Sequence, residues 1–537
     1  MINGLNLQLP SMSEVVAARR RDEQQARLRA DVEAARAELE TERNRGRVHK
    51  RAYQAALVNR LTADFATSAV SANAELRKSL RRLRERSRDL AQNNPHVKKF
   101  LSLVRTNVIG HGGIKLQATA TRPGAGGAEE LDEELNRRVE RAWAEWGHKE
   151  TASASGRLSW LDQQHLFVTT LARDGEALCR ILAADNPFGF TLQFIDVAWL
   201  DETFNARLGN GNRVLMSVEV DKYNRPVNYW LTPPSYDYLY PEREDAQRRT
   251  PVPASQMIHC FVVNEDESQT RGVPWTHAAM LRLKMLAGYE EAEVIAARLE
   301  ACKGVFLIPP EGDEEGGYAG DGDEAVDAPL LEEIEPGMST ELPPGYKVET
   351  FDPQHPNANG PAFAKWMLRS IATTVDVAYV SLGNDLEGVN YSSIRAGLLD
   401  ERSQWRIIQS FVVEHFCRTV YRAWLRSSVA VGGIEGVGPR EYDRLKSPLW
   451  RPRGWPWVDP LNDMKASLMA IDNALETRTD VAGEQGESFP EIVAKLKNEN
   501  DLLEKNGLPV KADAKEPPAG GQPGGGEQDE EQTPLKK

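Results

Sequence analysis

Apolar positions recur at helical spacing through much of the chain, and the strongest such run lies between Pro361 and Arg426. PAFAKWMLRSIATTVDVAY predicts a helix of roughly four to five turns, with Pro361 at a start position where its missing N–H costs nothing. Helical periodicity then lapses in VSLGNDLEGVNYSS, where Gly383, Asn384, Asp385, Gly388 and Asn390 are turn formers. It resumes behind Ser392 or Ser393, either of which can cap a helix of roughly 35 residues, about 50 Å long. Ile394, Leu398, Trp405, Ile408, Val412, Phe416, Val420 and Trp424 make one stripe of it. From Ile407 onward Phe411, Val413 and Tyr421 make it apolar on nearly every side, the pattern of a helix buried all round. Periodicity alone leaves two readings: core helices joined by a surface loop, or a spine whose loop has a task of its own.

Residues 11–45, rich in Arg, Glu, Ala and Gln, predict a solvated helix or a partly ordered arm; Arg19, Arg20 and Arg21 leave nucleic-acid contact open. From Ser71 a helix carries Leu76, Leu80, Leu83 and Leu90 on one face. Its arginines (Arg77, Arg81, Arg82, Arg84, Arg86, Arg88) suit either phosphate or an acidic neighbour, another copy included. HVKKFLSLVRTNVIG is a second helix, ATATRPGAGGAEE a loop, and LDEELNRRVERAWAEWG an amphipathic helix with Leu135, Val139, Trp143 and Trp146 as its packing stripe. After RLSWLDQQHLFVTTLARDG strands take over. EALCRIL and FTLQFIDV form one hairpin, RVLMSVEV and VNYWL another, and MIHCFVV is a buried strand. A helix opens at Pro274 and stops before Gly304, the proline-first, glycine-last asymmetry of helices. VFLIPP and the stretch around YKVETF are short strands. VAVGGIEGVGPR reads as a flexible link, DPLNDMKASLMAIDNALET and ESFPEIVAKLKNENDLLEKNG as two helices, and the chain after Val510 as a disordered tail.

Length and composition change this picture little: 537 residues suggest two to four domains, and 40% hydrophobic with 27% charged residues suits a soluble protein. No run of about eighteen apolar residues or secretory leader is found, so no membrane partner is expected. Cys179, Cys260, Cys302 and Cys417, far apart in apolar runs, read as reduced core residues of a cytosolic product. Charge matters more. Residues 1–100 carry 21 Lys/Arg against 12 Asp/Glu, so a net charge of −14 leaves the remainder strongly acidic. Such a body argues against tight gripping of phosphate. Residues 311–341 hold twelve acidic residues and no Lys or Arg. Within them GDGDEAVDAPLLEE fails the EF-hand pattern at Ala325, which leaves an exposed acidic loop.

The sequence carries no phosphate loop, dinucleotide fingerprint, HExxH, GxSxG or CxxC. Glu414-His415 is placed inside the buried spine, and His148, His165 and His259 have no metal-ligand spacing, so they read as structural. Trp450, Trp455 and Trp457, among prolines, suit packing against a neighbouring surface; with only Arg451 and Arg453 nearby, a base-stacking platform is the sharper alternative. No catalytic, cofactor-binding or metal residue is assigned, and no enzyme activity is expected.

RSRDLAQNNPHVKKFLSLVRTNVIGHGGIKLQ, DGEALCRIL, LQFIDVAWLDE, QTRGVPW, the LGNDLEGVNYSSIRAGLLDERSQW block and GWPWVDP, in that order, resemble the portal proteins of lambda-like tailed bacteriophages over about residues 70–500. The resemblance implies a mainly helical α+β portal fold assembled as a ring, usually of about twelve copies. Behind an N-terminal arm (1–50) it implies a wing (51–273), a first stem helix (274–303), a clip with the acidic insertion (304–360) and a second stem helix (361–379). A tunnel loop (380–393), a spine helix (394–430), a linker and crown (431–505) and a disordered tail (506–537) follow. It implies a channel at one capsid vertex for DNA packaging and ejection, built in the host bacterial cytoplasm and carried in the virion. The implied partners are other copies, the terminase large subunit at the clip, head-completion or adaptor proteins, major capsid and scaffold proteins, and double-stranded DNA passing non-specifically. Asn384, Asp385, Glu387, Asn390 and Tyr391 are then expected at the lumen, with Lys365 and Arg369 as lumen candidates on the stem. The rival classes are a DNA-packaging ATPase or nuclease and a capsid or scaffold component without a channel.

Overall fold

The computed structural model of the chain describes residues 12–48, 60, 70–124, 129–232, 249–301, 305–308, 347–350, 359–388 and 390–508. The acidic segment 311–341, most of the predicted clip, Cys302 and the tail lie outside the described residues. The chain divides into Met1–Val70 and Ser71–Lys537. In the first unit α1 (Met12–Val48) is a 37-residue helix whose described side chains are almost all exposed, the outcome of strong helix formers without an apolar stripe.

The second unit begins with α2 (Ala72–Asn93), burying Leu76 and Leu80, and α3 (Pro95–Val104), where the Asn94 side chain accepts from the N–H groups of His96 and Val97. A π-helical turn, Arg105–Ile109, leads to β1 (Lys115–Gln117). Where the sequence predicts only a loop, β2 (Thr121–Pro123) and β3 (Glu129–Leu131) pair as a ribbon. α4 (Glu133–Trp146), a short α5 (Lys149–Ala152) and α6 (Trp160–Asp174) follow, the last opened by a Ser159–Asp162 capping box. β4 (Glu176–Ala183) and β5 (Phe190–Ile195) form the expected hairpin. A five-stranded meander succeeds it: β6 (Ala206–Arg207), β7 (Arg213–Leu215), β8 (Val218–Val220), β9 (Pro226–Leu231) and β10 (Thr250–Pro253). β11 (Met257–Phe261) then closes on the free edge of β4.

RVLMSVEV, predicted as one strand, is two. β7 and β8 turn back on each other through Met216 and Ser217, both at positive φ, +49° and +70°. Such a two-residue turn matches strand twist but normally calls for Gly or Asn. Here the strain is held by partners: Met216 N–H donates to Asn205 Oδ1 (3.2 Å), and Ser217 Oγ donates to the Asp201 carbonyl (2.9 Å).

α7 (Met280–Ala301) starts six residues later than predicted, after turns that begin at Trp275. β12 (Val305–Ile308) and β13 (Lys347–Thr350) pair antiparallel. α8 (Gly360–Thr374), α9 (Tyr379–Gly383) and α10 (Tyr391–Val412) follow; α10 runs through a π-helical turn, Val413–Cys417, into α11 (Arg418–Val431). This long helix is not buried all round. Trp405, Val412, Phe416, Val420 and Trp424 face the core, but Ile407 is 65% exposed, and Glu414 and His415 are exposed rather than enclosed. The link after it is packed, burying Ile434 and Val437. Beyond α12 (Tyr442–Leu445), β14 (Leu449–Arg451) pairs with β1 across more than three hundred residues. The end of the chain is three helices, not two: α13 (Pro460–Asp472), α14 (Arg478–Glu484) and α15 (Phe489–Lys505).

The core gathers on the predicted α4 stripe. Trp143 lies 4.7 Å from Trp146, 5.0 Å from Trp424, 5.4 Å from Trp160 and 6.1 Å from Trp450, ring to ring. Phe416 stacks on Phe167 at 4.0 Å. Edge-to-face pairs of this kind add about 0.5–1.5 kcal/mol each beyond burial.

One buried polar cluster ties α2 to the sheets. Arg271, with no exposure, donates Nε to Glu176 Oε2 (2.8 Å), Nη1 to the carbonyls of Leu200 (3.0 Å) and Met216 (3.1 Å), and Nη2 to Glu176 Oε1 (2.5 Å) and the Val197 carbonyl (3.3 Å). His259 Nε2 meets Glu176 Oε2 at 2.9 Å, so this histidine is a satisfied structural one, as expected. Three of the α2 arginines find acidic partners within the same chain: Arg81 pairs with Glu85 on α2 itself, Arg84 pairs with Glu202, and Arg88 forks onto Asp174 and Asp196. Burial alone would raise the Glu176 carboxyl; Arg271 and then His259 overcome it and hold the group well below its ordinary 4.5.

Glu176→Gln strands a buried guanidinium, and a loss of about 3–5 kcal/mol is expected as a fall in the urea midpoint. Because the folded-state value is depressed, the contribution of Glu176 is fully present above pH 4.5 and drains as the pH falls toward the folded value; raising the pH leaves it intact.

Candidate functional site

The polar stretch between α8 and α10 is fixed at both ends and open in the middle. Its entry bends at Asp376, at φ +52°, and α9 docks through Glu401, a residue of α10 that is 6% exposed. Glu401 Oε2 accepts from the Ala378 N–H (3.1 Å) and Ser381 Oγ (2.7 Å), and its Oε1 accepts from Trp405 Nε1 (3.0 Å). A carboxylate at the first turn of a helix satisfies donors that the helix itself cannot. The chain leaves α9 through Asn384, at φ +51°, a conformation asparagine tolerates. At the far end Asn390, not Ser392 or Ser393, caps α10 by accepting from Ser393 N–H at 2.8 Å.

Four residues spread over α8, α9 and the loop meet here. Asp385 Oδ2 lies 2.7 Å from Lys365 Nζ and accepts from Tyr379 Oη at 2.7 Å, while its Oδ1 accepts from the Glu387 N–H at 2.9 Å. Arg369 lies over the Tyr379 ring at 5.4 Å and Lys365 at 5.8 Å. The Lys365 ammonium, then the Tyr379 hydroxyl, hold the Asp385 carboxyl far below its usual range. Burial, with Asp385 next, pushes the Tyr379 phenol up to about 12. Composition counts Asp385 and Glu387 as two equal negative charges, whereas the geometry pairs Asp385 and leaves Glu387 with no ion pair among the described residues. Asn384, Glu387 and Asn390 are exposed, Tyr391 is the first residue of α10, and at the tip Leu386 is 66% exposed.

Sequence reasoning named Lys365, Arg369 and Asp385 separately but missed Tyr379 and Glu401. The spacing from Tyr379 to Asp385 crosses a helix break, and Glu401 reads as one more polar residue on a helix face. The tryptophans after the spine settle as packing residues. Trp450 joins the Trp143 cluster, Trp455 is buried with its indole N–H on Asn107 Oδ1 (3.0 Å), and Arg451 and Arg453 donate to Gln117 Oε1 and the Thr106 carbonyl.

Lys365→Ala and Asp385→Asn are expected to loosen the loop with little change in melting temperature, since a partly exposed surface pair adds little to global stability. Hydrogen exchange at the Glu387 amide, which Asp385 accepts, should speed several-fold in both variants.

The profile described as phage portal protein, lambda family, matches residues 58–409. The "Probable portal protein" of Halomonas phage phiHAP-1 is 34% identical over 436 residues, covering 80% of this chain and 81% of that one. Among solved structures, the neck of an empty GTA particle computed with C6 symmetry aligns at a TM-score of 0.40 and 11% identity, over 75% of this chain and 93% of that one. The virion of the native gene transfer agent particle aligns at 0.39 and 11%, over 79% and 97%. A family match over most of the chain, and a relative this similar along four fifths of both lengths, establish that the chain belongs to the lambda family of phage portal proteins.

Proposed function

We propose that about twelve copies of this head–tail connector close into a ring at one capsid vertex, without enzymatic activity of their own. Double-stranded DNA is packaged and ejected through its centre. In this reading residues 51–273 form the wing, 274–303 and 361–379 the stem, and 304–360 the clip. Residues 380–393 are the tunnel loop, 394–430 the spine and 431–505 the crown. Terminase large subunit docks at the clip, and head-completion proteins follow it. Major capsid and scaffold proteins surround the wing, and the ring is assembled in the host cytoplasm and carried in the virion.

The observation that carries the reading is the loop of the site: polar, exposed, anchored at both ends, and set between helices instead of over a cleft. Asn384, Asp385, Glu387, Asn390 and Tyr391 would then face the lumen, with Lys365 and Arg369 behind them. Glu387 repels a passing phosphate backbone, the Lys365–Asp385 pair neutralises one of the two cations beside the loop, and the other, Arg369, lies over the Tyr379 ring. A motor then need not break an ion pair at every step. Apolar side chains left exposed on α7 and α8 (Leu281, Met285, Val294, Phe363 and Trp366) are what a neighbouring copy would cover.

Native mass spectrometry of the full chain with negative-stain imaging tests this. Rings of roughly a dozen copies with a central hole are expected. A stable dimer that hydrolyses ATP would overturn the proposal in favour of a packaging enzyme.

A further inference from the structure

Between α10, α14 and the segment that leaves β14 lies a cleft of about 720 Å³, continued by a recess of about 350 Å³ that shares Arg406, Trp455 and Glu484 with it. Its wall is cationic. The guanidinium groups of Arg402 and Arg453 each lie 5.9 Å from the Trp455 ring. Arg402 makes no hydrogen bond or ion pair among the described residues. Arg453 donates only to neutral oxygens, the Thr106 carbonyl at 2.6 Å and Asn107 Oδ1 at 3.1 Å. Arg451 donates Nε to the neutral Gln117 Oε1 at 2.8 Å, and its Nη1 is buried without an acceptor. Of the carboxylates that line the cleft and its recess, Glu414 pairs with Arg418, Asp463 with Arg395, and Asp480 accepts from the Thr477 N–H and hydroxyl at the start of α14. The one left facing this group is Glu484, 3.4 Å from Arg406, with both side chains more than half exposed. Burial, then repulsion from Arg453 and Arg406, works against the charge on Arg402. With those pairs set aside, Arg402, Arg406, Arg451 and Arg453 face one weakly held carboxylate that is not engaged elsewhere, in a chain whose net charge is −14.

Folding does not gather like charges around unmet donors for stability, because buried donors without acceptors cost free energy and neighbouring cations repel. A ligand with several anionic oxygens removes both penalties. Arginine forks match phosphate oxygens two at a time, and Trp455 holds Arg402 and Arg453 on its surface so that little side-chain freedom is lost on binding. The acidic body does not forbid this, since beyond about 8–10 Å its field is screened at physiological salt.

We propose that the cleft lined by Arg402, Arg406 and Arg453 around Trp455 is a phosphate-binding site, filled by the phosphodiester of a nucleic-acid backbone or by a free polyphosphate. The first of these sources rests on the channel reading given above. It would make this a point where the otherwise repellent ring holds DNA, with binding that weakens as salt rises.

Calorimetry on the full chain tests the site, with pyrophosphate as probe and chloride of equal ionic strength as control. Saturable binding of pyrophosphate is expected, weakened roughly tenfold by Arg402→Gln and by Arg406→Gln. A short blunt DNA duplex that displaces pyrophosphate from the wild-type protein identifies the backbone as the source. A duplex that fails to displace it identifies free polyphosphate. No heat beyond the chloride control, or equal affinity in wild type and both variants, overturns the proposal. Should Arg402→Gln fail to fold, Arg406→Gln carries the test, because Arg406 is 55% exposed. Native mass measured on the same samples separates the two proposals: rings without pyrophosphate binding remove the site alone, and binding without rings removes the channel reading alone.

Discussion

Arg271 sits where no water reaches it, so each of its five N–H donors has to be met by protein, and each is. Those acceptors belong to parts of the chain that have no other reason to converge: the first residue of β4, the short helical turn at Val197, the residue after it, and the tight turn between β7 and β8. Satisfying one guanidinium therefore fixes the angle between the three-stranded sheet and the five-stranded meander. The chain next to it must come very close to do so. A Cβ on Gly272 would lie 2.1 Å from the Gly175 carbonyl oxygen, and one on Gly175, already at φ +84°, would lie 2.1 Å from the Val273 carbonyl carbon. Glycine at both positions is what lets Arg271 and Glu176 face each other.

The same cluster explains two of the α2 arginines. Arg84 is nearly unexposed and ends on Glu202, and Arg88 bridges Asp174 and Asp196, so the helix is bolted to the sheet by charge where its leucines do not reach. Buried pairs of this sort contribute little net stability compared with apolar packing, but breaking one is severe. Their effect is to permit one arrangement of helix and sheets. The Trp143 cluster supplies the cohesion by burying α4, α6 and α11 against one another, and it carries the spine helix into the unit's centre. The loop at the head of α10 is consequently presented by a helix whose far end is packed into the core.

Legibility in the sequence followed the range of the interaction. The α4 stripe, the β4–β5 hairpin and the glycine-bearing loop before the spine are written in residues that are close in sequence, and periodicity found them. The β7–β8 turn was missed because Met216 and Ser217 carry no turn signal; their positive φ is imposed by Asn205, Asp201 and Arg271 from outside the strand. The spine was overestimated as buried all round because Ile407 is apolar but points outward. At the site, the loop between α8 and α10 is legible in its turn formers, whereas the pairing of Lys365 with Asp385 depends on how α8 is turned, which composition does not specify.

In the channel reading proposed above, that pairing bears on how a conduit for a polyanion can be built from a chain that also needs cations. A uniformly acidic lumen would repel DNA but would leave each carboxylate unpartnered and repelling its copies around a ring. Pairing Asp385 with Lys365 removes both liabilities, keeps the loop polar, and leaves the isolated charge of Glu387 at the exposed tip beside the apolar Leu386. Neither residue offers a phosphate group a donor. Arg369 lies over the Tyr379 ring beside that pair, and a second group of arginines, Arg402, Arg451 and Arg453, lies in the cleft around Trp455, where α10 meets the terminal helices. In the channel and phosphate-site readings proposed above, one continuous helix carries at its head a surface suited to let phosphate pass and further along a surface suited to hold it.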